Sequence, residues 1–134
     1  MRVRKVRSAR ELRRSRALLA ATVDSSFLGE FDGSEDHWQC LTDDGTLAGV
    51  AGAYVTEDDE VCMTYCVVAP DHRGGKMQPA LLWARENWGK GQGCHKAITY
   101  AARKSWGSVI NLTRAHYHVV SLDDYFLCFE KDLA

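Results

Sequence analysis

Residues 67–88 read VVAPDHRGGKMQPALLWARENW, and this stretch limits the folds open to the chain. Val67 and Val68 close an apolar run, Val61 to Ala69, that reads as a central strand. A charged, glycine-containing turn follows, and then an amphipathic stretch from Pro79 to Trp88 with proline tolerated in the first turn of a helix. A strand feeding such a turn and then a helix belongs to a mixed sheet flanked by helices. The turn suits an anion. A helix N-terminus offers unpaired backbone N–H groups and the positive end of its dipole. Gly74 and Gly75 let a ligand approach the backbone, and Arg73 and Lys76 add charge. Together these fit a phosphate or pyrophosphate. The same residues also fit a plain strand-to-helix connection. Neither G-x-x-x-x-G-K-[ST] nor G-x-G-x-x-G after a first strand is present.

The pattern extends in both directions. Arg2 to Val6 reads as a short first strand. Ser8 to Glu11 is a capping box, in which Ser8 accepts from the Glu11 amide and the Glu11 side chain reaches back. Leu12, Leu18, Leu19, Val23 and Phe27 recur near helical spacing and predict a helix over 9–23. An acidic loop, Leu28 to Asp36, has room for a short second helix. His37 to Leu41 and Leu47 to Val55 read as a hairpin about an Asp-Gly turn. Cys94 to Ala101 predicts a strand, Trp106 to Ala115 a helix, and Tyr125 to Phe129 a terminal strand after the loop Ser121 to Asp124. The expected order is β, α, three strands, α, β, α, β, in one domain over 1–134.

At 134 residues, 46% hydrophobic and 26% charged, the chain can bury a core without metals or cross-links. No apolar run nears the ~20 residues of a membrane span, and no secretory signal is expected. The five cysteines are irregularly spaced, which suggests reduced thiols in a cytoplasm. Cys62 and Cys66 would stand about 13 Å apart along a strand, too far to share one zinc, so no metal site is expected. Net charge is −1, but residues 2–16 hold eight of the seventeen Lys and Arg against the single acid Glu11. That segment reads either as the solvated face of an amphipathic helix or as a nucleic-acid surface; the acidic remainder argues against a dedicated nucleic-acid binder.

The run from Val67 to Leu82 resembles the acetyl-CoA-binding segment of the GNAT superfamily of N-acetyltransferases. Val68, Pro70, Arg73, Gly74, Ala80, Leu81 and Leu82 stand at matching positions, while Lys76 and Gln78 replace the motif's later glycines and Gly75 sits one place early. Asn111, then Tyr117 and His118, is similar to the family's Asn in the last helix with a Tyr about seven residues on. The element order is similar to the family's from end to end. The resemblance implies an α/β (α+β) mixed sheet with the GNAT-like acyl-CoA N-acyltransferase fold.

It also implies direct transfer of an acetyl group from acetyl-CoA to a primary amine. Coenzyme A would contact Val67, Val68, Arg73, Gly74, Gly75, Lys76, Met77, Gln78 and Asn111. Its pantetheine would lie where the strands at Cys62–Val68 and Cys94–Ala101 splay, often at a bulge. A base would take the amine's proton; candidates are Glu60 first, then Asp58, Asp59, Glu30, Asp32 and Glu35, each of which also reads as a solvated turn carboxylate. Tyr117, or else His118, would protonate the leaving thiolate, although Tyr117 also reads as a packing residue. The acidic loop would attract a cationic acceptor, whether small molecule or protein. A homodimer stays open. The rival readings are a GNAT fold that binds without catalysing, and a small nucleic-acid binder using Arg2 to Arg16.

Overall fold

The computed structural model of the chain describes residues 1–23 and 35–133. The short helix expected within 28–36 and the contact expected of Phe27 therefore lie largely outside the described residues. Seven strands are hydrogen-bonded in the order β1-β2-β3-β4-β5-β7-β6: β1 Arg2–Lys5, β2 Asp36–Leu41, β3 Leu47–Val55, β4 Glu60–Val68, β5 Lys96–Ala102, β6 His118–Leu122 and β7 Phe126–Asp132. The helices are α1 Ala9–Thr22, α2 Met77–Gly91 and α3 Trp106–Arg114, with a 3₁₀ turn at Pro70–His72. The expected mixed sheet flanked by helices is what forms. The chain divides into two compact units, Met1–Ala53 with Tyr65–Ala84, and Tyr54–Thr64 with Arg85–Ala134.

In the first unit β1, β2 and β3 pair antiparallel, with Val3 opposite Cys40 and Gln39 opposite Val50. The β2–β3 hairpin turns at Asp44-Gly45, and Gly45 takes the left-handed conformation such a turn requires. The capping box forms as expected: the Glu11 amide donates to Ser8 Oγ at 3.1 Å, and Glu11 Oε1 reaches back to the Arg7 amide at 2.7 Å. Leu19 of α1 shares a buried cluster with Val50, Tyr65 and Val67. Gly49, one residue from Val50, faces the other way, where a Cβ would meet Leu81 of α2 at 3.1 Å. Neighbouring strand residues point to opposite faces, so α1 and α2 cover opposite sides of the sheet.

In the second unit β4 and β5 run parallel and β7 lies antiparallel between β5 and β6. Helix α2 presses directly on β4: a Cβ at Gly89 would stand 2.7 Å from Val61 Cγ1, so only glycine fits.

Strand β6 was not expected. All five of its residues are exposed, so no buried alternation marks it, and its neighbours Asp123 and Asp124 read as loop. Helix α2 begins two residues before the expected Pro79, which occupies its third position, and it continues to Gly91.

Candidate active site

In the first unit, β4 ends with Val67 and Val68 buried, and the Ala69 amide donates to the Ala48 carbonyl at 2.7 Å. After the 3₁₀ turn, Arg73 Nε donates back to the Val68 carbonyl at 3.0 Å, which fixes the turn against the strand end. Gly74 has φ +81°, and nothing lies within 4 Å of where its Cβ would be. A Cβ at Gly75 would meet only the His72 carbonyl, at 3.8 Å. Among the described residues, the amides of Gly74, Gly75, Lys76 and Met77 have no hydrogen-bond partner. Residues 73–76 are exposed, and they lead into a fifteen-residue helix. The result is an open row of donors at the positive end of a long dipole. Lys76 and Gln78 keep ordinary negative φ, since the left-handed residue of this turn is Gly74; the two departures from the family motif therefore cost the backbone nothing.

The second unit holds the remaining sequence-predicted residues. Parallel pairing of β4 with β5 stops at Met63 opposite Thr99. There the Thr99 hydroxyl donates to the Met63 carbonyl at 3.1 Å, replacing the ladder. Tyr117, just past α3, is 4% exposed. Its hydroxyl donates to Glu86 Oε2 at 2.7 Å, and Lys131 Nζ binds the same oxygen at 3.1 Å while lying 5.6 Å from the Tyr117 ring centre. Burial first, then the Glu86 carboxylate, pushes the Tyr117 hydroxyl well above its ordinary range. This cluster links α2, the turn after α3, and β7. Sequence reading missed Glu86 and Lys131; the available signal was a charged pair, Arg85-Glu86, on the buried stripe of α2 that also carries Leu81, Leu82 and Gly89.

The other candidates are scattered. His118 opens β6 and is exposed, and Asn111 is half-buried in α3. Glu60 opens β4, seven residues before Val67, or about 23 Å along a strand. Asp58 and Asp59 sit in the exposed turn before it, and Glu35 is half-buried. Glu30 and Asp32 lie outside the described residues. Among the described residues no group of three His, Cys, Asp or Glu side chains is placed to hold a metal.

A family profile described as the acetyltransferase (GNAT) family matches residues 6–109. No curated protein sequence matches the chain. Solved structures share the fold at low identity. A GNAT family acetyltransferase from Elizabethkingia anophelis with acetyl-CoA bound aligns with a TM-score of 0.81 at 9% identity, covering 98% of this chain and 97% of that one. A Bacillus subtilis acetyltransferase in complex with CoA aligns at 0.79 and 13%, covering 99% of each. The ribosomal-protein-S18-alanine N-acetyltransferase of Escherichia coli aligns at 0.78 and 11%, covering 99% and 95%. The profile spans most of the chain, including the whole strand–turn–helix segment from Val67 onward, and on that ground the chain belongs to the acetyltransferase (GNAT) family.

Proposed function

We propose that the chain transfers an acetyl group from acetyl-CoA to a primary amine by direct attack. The observation that carries this is the row of unpartnered amides from Gly74 to Met77 beneath an open glycine surface. Its chemistry fits a diphosphate: several N–H donors, a helix dipole, and the cations Arg73 and Lys76 at the rim. Residues Arg73 to Gln78 would hold the diphosphate, and main-chain groups near Val67 and Val68 the pantetheine, with Asn111 as a further contact. The donor supplies an acyl group already activated as a thioester. The solved relatives with CoA or acetyl-CoA bound support the same donor here.

The reaction asks little of a dedicated acid. A thiol near the ordinary cysteine value of about 8.5 takes its proton from solvent at neutral pH. Tyr117 therefore enters the proposal as a positioning residue, its hydrogen committed to Glu86, and His118 is not required. The amine is different. With a pKa of about 10.4 it must lose a proton before attack. Glu60 is left out, because it stands at the far end of β4 from Val67. The acidic stretch around residues 30–36 would draw cationic amines by its field. Five free cysteines, three of them buried, support a reducing compartment such as the cytoplasm. The exposed apolar residues Val120, Leu122 and Tyr125 support pairing of two copies, which light scattering would test.

The test is release of coenzyme A against a panel of amines, run beside calorimetric titration with acetyl-CoA. Turnover with at least one amine and saturable binding support the proposal. Binding without turnover of any amine leaves the non-catalytic acyl-CoA-binding reading. Absence of binding at millimolar acetyl-CoA overturns both.

A further inference from the structure

The N-terminal segment carries charge that neither the fold nor the proposed reaction uses. Arg2, Arg7, Arg10, Arg13 and Arg14 are all exposed. Among the described residues none of the five forms an ion pair, whereas Arg4 pairs with Glu11 and Lys5 with Asp36. On α1, Arg10, Arg13 and Arg14 stand at i, i+3 and i+4, side by side. They lie on the side away from buried Ser15 and Leu19. Arg7 precedes the N-cap and Arg10 follows it, where the helix dipole repels cations. Like charges at this spacing also oppose the helix. The only acid in the first turn is Glu11, and the last turn, where the dipole would favour cations, has no basic residue. The placement thus works against helix stability.

We infer that this arginine face binds the phosphate backbone of a nucleic acid without reading its sequence. Every unpaired cation on it is arginine, whose planar fork matches phosphate oxygens and stays charged. The other exposed residues of the helix are Ala9, Arg16, Ala17, Ala20 and Ala21, so there is no aromatic platform for bases. Such a surface recognises a polymer by repeating charge alone. The negative charge of the chain as a whole does not oppose this, because the described acids beside the face are engaged. Glu11, on the same helix, pairs with Arg4 and accepts from the Arg7 amide, and Asp44 lines an open groove with Arg14. Its carboxylate already accepts from the Thr42 hydroxyl and the Thr46 amide.

The experiment measures binding of a fluorescent 20-base-pair DNA duplex to the full chain by anisotropy between 50 and 200 mM KCl. Five phosphate contacts predict an affinity loss on the order of 500-fold across that range. R10A/R13A/R14A leaves two contacts and lowers the loss to roughly tenfold, with helicity checked by circular dichroism. R10K/R13K/R14K keeps most of the salt dependence, and Lys90→Gln on α2 keeps all of it. No binding at 50 mM KCl overturns the inference, as does a triple alanine variant that binds like the parent. Equal displacement by polyglutamate also overturns it and assigns the face to an acidic protein.

Discussion

Tyr117 and Glu86 are joined by a buried hydrogen bond of 2.7 Å, the tyrosine donating and Lys131 binding the same carboxylate oxygen from the other side. The pair ties the segment after α3 to the middle of α2, and it makes the tyrosine hydroxyl an unpromising proton source. Tyr117→Phe should lower stability by about 1–3 kcal/mol, the usual cost of leaving a buried acceptor short of a donor. The drop in kcat for coenzyme A release should track the unfolded fraction and vanish at low temperature. A thousandfold fall in kcat with unchanged melting would restore the acid role.

The same bond sets a pH dependence. The folded-state value of Tyr117 lies above its unfolded value of about 10. In that region the folded chain binds more protons than the unfolded one, so stability is lost as pH rises. The contribution is whole below pH ~10 and declines above it. Denaturant midpoints measured from pH 8 to 11.5 should fall more steeply for the parent than for Tyr117→Phe. Parallel curves would show that the tyrosine does not titrate differently on folding.

Gly74 should be the least replaceable residue of the anion turn. At φ +81° any L side chain costs about 1–2 kcal/mol. Gly74→Ala should lower the melting temperature by a few degrees and, as the amide row tilts, weaken acetyl-CoA roughly tenfold by calorimetry. Lys76→Gly, at a position of ordinary φ, should change affinity only through the lost charge.

Two glycines of α2 should respond oppositely to alanine. Gly89→Ala drives a methyl into Val61 and should cost about 1–3 kcal/mol. At Gly91 a Cβ meets nothing within 4 Å, so Gly91→Ala should stabilise by about 0.5–1 kcal/mol through helix propensity. Thermal melts of the two variants check both signs.

Gln39 is fully buried and ties α1 to the sheet. Its Nε2 donates to the Glu11 carbonyl at 2.7 Å and to Ser15 Oγ at 2.8 Å, and its Oε1 accepts from Arg4 Nε at 2.9 Å. Gln39→Leu leaves those groups unsatisfied and should cost about 1–3 kcal/mol. A neutral result would mean that water replaces the amide.

Much of the architecture was legible because burial and spacing agree. Leu12, Leu18 and Leu19 mark α1, Ser8 and Glu11 mark its start, and the run from Val61 to Val68 marks a central strand. Strand β6 was illegible for the opposite reason: every residue from His118 to Leu122 is exposed, so nothing in the pattern separates edge strand from loop. Gly74 could be read as the flexible point of the turn, but the ordinary φ of Lys76 could not. The Glu86–Lys131 contact joins residues 45 apart in sequence, and no local rule anticipates such a partnership.

The buried cluster that Tyr65 shares with Leu19 of α1 carries an evolutionary corollary. The His37 ring nitrogen meets the Tyr65 phenol at 2.7 Å, and a one-residue insertion or deletion in β2 ahead of His37 would turn that histidine to the other face of the sheet and part the two. Length variation should therefore be rarer inside β2 than in any loop of the protein, although neither residue need be chemically reactive.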